Sequence, residues 1–76
     1  MKTKSIDALY AWVATEADGG EGVCAADING MMMPLVGAGM DRIKSLRPFA
    51  IRIRAASGRP MRLVRFGQRE DLEELP

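Results

Sequence analysis

The apolar spacing of this chain changes at Gly37-Ala38-Gly39, and that change fixes the class of fold open to it. Upstream, short apolar runs alternate with turn signals. Downstream, apolar residues recur every three or four positions, the period of a helix. Leu9 to Thr15 is rich in β-branched and aromatic residues and predicts a first strand. It is closed by Glu16-Ala17-Asp18-Gly19-Gly20, whose Asp-Gly pair accepts the positive φ angles of a tight hairpin. Gly22 to Ala26 reads as the returning strand, with Val23 and Cys24 at its centre. Asp27-Ile28-Asn29-Gly30 is a second turn, because Asn-Gly is a strong hairpin signal. Met31 to Val36 predicts a third strand. Pro34 lacks an amide hydrogen, so that strand is expected at an edge or with the proline position turned outward.

Beyond the glycines, Met40, Ile43, Leu46, Phe49, Ala50 and Ile53 make one apolar stripe. Gly58-Arg59-Pro60 stops it, since glycine accepts the left-handed position after a helix and proline cannot continue one. Pro48 lies inside the stripe. It forfeits one hydrogen bond and crowds the Lys44 carbonyl, at a cost of ~3 kcal/mol. The expectation is a kink there, or two short helices meeting near Arg47. Met61 to Phe66 predicts the last strand, and Leu63 and Val64 on opposite faces suggest an interior position. Gly67 to Pro76 is polar and acidic and is expected to be a frayed helix or disordered.

The order is therefore β-β-β-α-β, an α+β fold of two layers: one antiparallel or mixed four-stranded sheet with one helix on one face. The other sheet face is then bare. Tyr10, Trp12 and Ala14 lie on one face of the first strand, and Leu9, Ala11, Val13 and Thr15 on the other. Neither set is polar. Homodimerisation through the bare face is one expectation, and a small apolar surface on a monomer is the other.

A chain of 76 residues makes one domain, 1–76, with an ordered core expected at about 8–67 and an acidic tail at 68–76. Covalent and metal staples are excluded by composition. Cys24 is the single cysteine, so no intrachain disulfide forms, and without histidine no conventional structural zinc site does. That leaves packing, with or without self-association, to stabilise the fold. A lone cysteine fits a reducing compartment, and the expected location is cytoplasmic. Lys2 and Lys4 precede an apolar stretch at Ala8 to Ala14, but Asp7 interrupts it and it barely reaches the minimum for a secretory signal. No run approaches a membrane span, so no membrane partner is expected.

Charge is unevenly spread. Residues 40–69 hold Lys44 and eight arginines against Asp41 alone, whereas the tail holds Glu70, Asp71, Glu73 and Glu74. Lys44, Arg47, Ile51 and Arg54 form one helical ridge, and Arg59, Arg62, Arg65 and Arg69 follow on and around the last strand. Arginine binds phosphate bidentately, so Lys44, Arg47, Arg54, Arg62 and Arg65 are the candidate contacts for nucleic acid or another polyanion. The plainer reading is a solvated surface whose arginines pair with carboxylates of the hairpin and tail. Arg62 also faces the same way as Val64, so its stem covers apolar surface.

Other chemistry is poorly served. Gly37-Ala38-Gly39 stands between strand and helix, where amides can hold phosphate. A dinucleotide fingerprint wants a third glycine at 42, which is arginine, so the glycines read as a turn. Cys24 has no histidine to activate it and reads as a small buried hydrophobe. Ser5, Ser45 and Ser57 lie in no nucleophile context, and Asp18 and Glu21 sit on an exposed turn. No catalytic, cofactor-binding or metal-binding residue is expected, and the chain is read as non-enzymatic. Met31-Met32-Met33 alternates across a strand, which places two in the core and leaves Met32 beside Pro34 and Val36 as candidate partner contacts.

Trp12-Val13-Ala14, Asp18-Gly19-Gly20-Glu21-Gly22, Met33-Pro34-Leu35-Val36, Leu46-Arg47-Pro48 and Leu63-Val64-Arg65-Phe66 together resemble a group of short bacterial proteins of unassigned function. The resemblance spans about Leu9 to Phe66 and implies a compact stand-alone protein, with no site to carry over. In topology the chain is also similar to HicB-type antitoxins, which share the β-β-β-α order and a Gly-Gly hairpin, here Asp18-Gly19-Gly20. Asp27-Ile28-Asn29-Gly30 falls where those proteins place a Pro-Asp-Leu-Pro-Gly turn, but it lacks both prolines, and no acidic run opens the helix. Two functions are therefore expected: an interaction module that self-associates or docks a protein through the bare sheet face and the methionine edge, or a polyanion binder using the arginine-rich half.

Overall fold

The computed structural model describes residues 6–76; Lys2 and Lys4 lie outside that range. Six strand segments and one helix follow in order: β1 Leu9–Thr15, β2 Glu21–Val23, β3 Ala25–Ile28, β4 Met31–Pro34, β5 Val36–Gly37, α1 Met40–Ser57 and β6 Met61–Phe66. The fold is α+β, with one helix packed on a four-stranded antiparallel sheet.

Each of the second and third expected strands is divided in two, and the reason lies in β1. One edge of β1 serves two partners: Val13 to Thr15 pair with β2, while Tyr10 and Ala11 pair with β5. The handover falls at Trp12. Its N–H donates to the Leu35 carbonyl at 3.0 Å and its carbonyl accepts from the Cys24 N–H at 2.9 Å. Leu35 N–H donates to the Cys24 carbonyl at 2.8 Å and closes the junction. From there β3 and β4 leave β1 and pair only with each other, forming a two-stranded arm. Asn29 and Gly30 turn its tip with φ of 54° and 79°, the doubly positive geometry that an Asn-Gly hairpin prefers.

The last strand is not interior. β6 pairs with β1 along six positions and with no other strand among the described residues, so β6 is an edge and β1 is the centre. Apolar side chains on both its faces reflect two half-covered surfaces rather than two flanking strands. Leu63, on the helix side, stays 39% exposed because α1 lies over β1, β5 and β3 instead.

The helix is neither two helices nor broken at Pro48. It runs unbroken for 18 residues through that position. Gly58 ends it as expected, at φ 70°, with its N–H on the Arg54 carbonyl. Ile43, Leu46 and Ala50 are buried, and Phe49 and Ile53 pack beside them. Leu46 and Ala50 cluster with Ala14, Cys24 and Leu35, with Trp12, Ala26, Ile28 and Met61 around the margin. Trp12 therefore faces the helix. Gly37 lies on that face too, where an added Cβ would come within 2.6 Å of Arg42 Cγ, so the helix approaches the sheet there only because no side chain intervenes. Residues 67–76 form no helix or strand and are exposed.

Candidate interaction surface

Alternation along each strand sorts the side chains into two sets. Gly22, Cys24, Ala26 and Ile28 lie on the helix side, and so do Met33, Leu35 and Gly37, as burial or core contact shows for most of them. The residues between them point away from the helix. The register then lays the outer face out in rows. Val64, Ala11 and Val36 share one row, Arg62, Val13 and Val23 the next, and Leu9 sits beside Phe66 at one end. On the arm, Pro34 stands opposite Ala25 and Met32 opposite Asp27.

Met32, Pro34 and Val36 thus belong to one surface, the outer sheet face, and join it to the face of β1. This surface is apolar at its centre. Ala11 and Val13, flanked in their rows by Val36 and Val64 and by Val23 and Arg62, are only 2% and 5% exposed. Leu9, Val23, Phe66 and, at 68%, Met32 are exposed around them. Charge occurs at the flanks: Arg62 on β6, Glu21 on β2 and Asp27 on the arm. Three strands about 4.8 Å apart and seven residues long make a plate of roughly 14 by 23 Å before the arm is added.

The five candidate cationic residues do not form one patch. Lys44, Arg47 and Arg54 keep to one exposed ridge of α1. Arg65 pairs with Tyr10 and projects on the helix side of β6, whereas Arg62 pairs with Val13 and projects on the outer face. An open groove of 330 Å³ runs between α1 and the sheet, lined by Trp12, Ile51 and Met61 with Arg47 and Arg54 at its wall. Trp12 Nε1 is buried beside it with no hydrogen-bond acceptor among the described residues. Two arginines do pair with carboxylates: Arg59 with Glu16 of the first hairpin, and Arg69 with Asp71 of the tail. None of the five candidates forms an ion pair among the described residues.

Cys24 closes the break between β2 and β3, buried against the helix. Burial, then the Glu16 carboxylate, pushes its thiol pKa up from the ordinary value, which favours the protonated, unreactive form. Among the described residues no group of three or more histidine, cysteine or carboxylate side chains is placed to hold a metal ion. No helix is long and apolar enough to cross a membrane.

Two features escaped the sequence reading. The groove beside Trp12 needed the helix position to be known. The merging of the methionine edge with the bare sheet face was in principle visible, because Met32, Pro34 and Val36 alternate with Leu35 in an unbroken period of two. No family model matches the chain, and no curated protein or solved structure matches it either.

Proposed function

We propose that this chain is a small non-enzymatic interaction module of the cytoplasm, which self-associates or docks a protein partner through its outer sheet face. One observation carries the reading: an apolar plate spanning β2, β5, β1 and β6, continued by Met32 and Pro34 on the arm, with no element over it among the described residues. Exposed apolar surface of this extent, rimmed by charge, marks interaction sites. The thin core points the same way. Of the large side chains only Leu35, Ile43 and Leu46 are fully buried, and a core this small supplies few kcal/mol on its own. The resemblances noted above carry no site to this chain, so the reading rests on the surface alone.

Gel filtration of the full chain in a native extract tests it. The protein is expected to elute well above its 8.3 kDa mass, and Leu9→Asp, which charges the apolar centre line at an exposed position, to return it to monomer size with its circular dichroism unchanged. Elution of the unaltered chain as a monomer contradicts the reading.

A second reading, polyanion or nucleic-acid binding, is favoured by the unpaired ridge of Lys44, Arg47 and Arg54 above the Trp12 groove. It excludes Arg62 from the contact surface, since that residue lies on the opposite face. Anisotropy titration with single-stranded nucleic acid at two salt concentrations tests it, with affinity expected to fall steeply as salt rises. No binding at low salt removes it.

A further inference from the structure

We infer that the partner on the outer sheet face is a second copy of this chain, packed face to face about a two-fold axis running along β1. The inference rests on the docking role just proposed and adds the identity of the occupant. The charge layout of the face carries it. β1, the apolar centre line, has the cationic flank on one side, at Arg62 of β6, and the anionic flank on the other, at Glu21 of β2. Arg62 is opposite Val13 and Glu21 opposite Thr15, so the two lie one row apart along the strands, roughly 7 Å. A two-fold along β1 inverts left and right between the copies. It therefore sets β6 of one copy over β2 of the other and brings each Arg62 within side-chain reach of the opposing Glu21, twice per dimer.

Neither residue has an ion-pair partner in the single chain among the described residues, and both are exposed. An unrelated partner would need to supply the inverse pattern; a second copy supplies it by symmetry, which is what an isologous interface requires. Face-to-face packing at about 10 Å, with strands nearly aligned, is an ordinary way for two sheets to bury apolar faces. The plate alone covers roughly 320 Å², below the roughly 800 Å² per partner of a standard interface, so the dimer belongs to the small, weakly associating class. Val36 of each copy lies over Val64 of the other, Leu9 and Val13 meet their own counterparts across the axis, and the helices stay outside with their basic ridges in solvent.

Symmetry supplies the test. Sedimentation velocity is run on the full-length chain, on Arg62→Glu, on Glu21→Arg and on an equimolar mixture of the two variants. Each variant alone places like charges opposite each other twice, so its dimer dissociation constant is expected to rise at least about tenfold. Mixed, they form a heterodimer in which both contacts are again attractive, and association is expected to return to within about threefold of the unaltered chain. Variants that each associate as tightly as the unaltered chain, or a mixture no tighter than its components, overturn the two-fold arrangement. A chain that stays monomeric alone overturns the second copy as occupant. In these cases Leu9→Asp separates the two claims: if it still disrupts the native assembly, the docking face stands with another arrangement or partner, and if not, both fall.

Discussion

Leu46 contacts the helix side of the sheet where Ala14, Cys24 and Leu35 converge, and its side chain is almost wholly buried. Its truncation removes transfer free energy and leaves a cavity that small neighbours cannot fill. Leu46→Ala is expected to cost about 2–5 kcal/mol in urea unfolding, a large part of the stability of so short a chain. Cys24 makes a different prediction. Because the folded state holds the thiol proton more tightly than the unfolded chain, stability is complete below the unfolded thiol pKa of about 8.5 and falls as pH rises above it. Unfolding midpoints measured from pH 7 to 10 are expected to decline less in Cys24→Ala than in the unaltered chain, and the native thiol to react far more slowly with a disulfide reagent than the unfolded one. Ile43 and Leu46 were legible as core from helical spacing alone. The full burial of Leu35 was not, because it comes from the strand handover at Trp12, which joins residues far apart in the chain.

At the scale of elements, Pro48 and Gly37 make opposite predictions. Pro48 leaves the Lys44 carbonyl without its helical donor within a continuous helix, and it is exposed, so Pro48→Ala restores a bond without disturbing the core. Stabilisation of about 1–3 kcal/mol is expected in thermal or urea unfolding. Gly37→Ala drives a methyl group into the Arg42 side chain in the first turn of the helix. A loss of about 1–3 kcal/mol is expected from this overpacking. The type and order of the elements were readable, since the period of two, the Asp-Gly and Asn-Gly turns and the Gly58 stop each act locally. Strand neighbours were not. A period of two reports which way side chains point and says nothing of what pairs at either edge. For that reason the spacing does not mark β1 as central, and it suggests an interior place for β6 that the pairing does not give it. As an edge, β6 carries Arg62 and Arg65, and charged side chains of this kind discourage further edge-to-edge pairing. That leaves the face, rather than the edge, as the surface for association.

For the molecule as a whole, the helix covers one side of a twisted plate and leaves the other apolar. The candidate partner contacts fell on that bare side because they alternate with a buried leucine. The candidate cations scattered because Arg62 and Arg65 are an odd number of positions apart on one strand. β6 offers an internal control for the central claim, that the outer face is covered in the native assembly. Leu63 and Phe66 are both exposed in the single chain, at 39% and 49%, but Leu63 lies on the helix side and Phe66 on the outer face. Hydroxyl-radical labelling of each, resolved by fragment mass spectrometry, is therefore measured at dilution and in the assembled state. The account predicts that both label at dilution and that assembly protects Phe66 while Leu63 continues to label. Protection of neither, or of both equally, contradicts it.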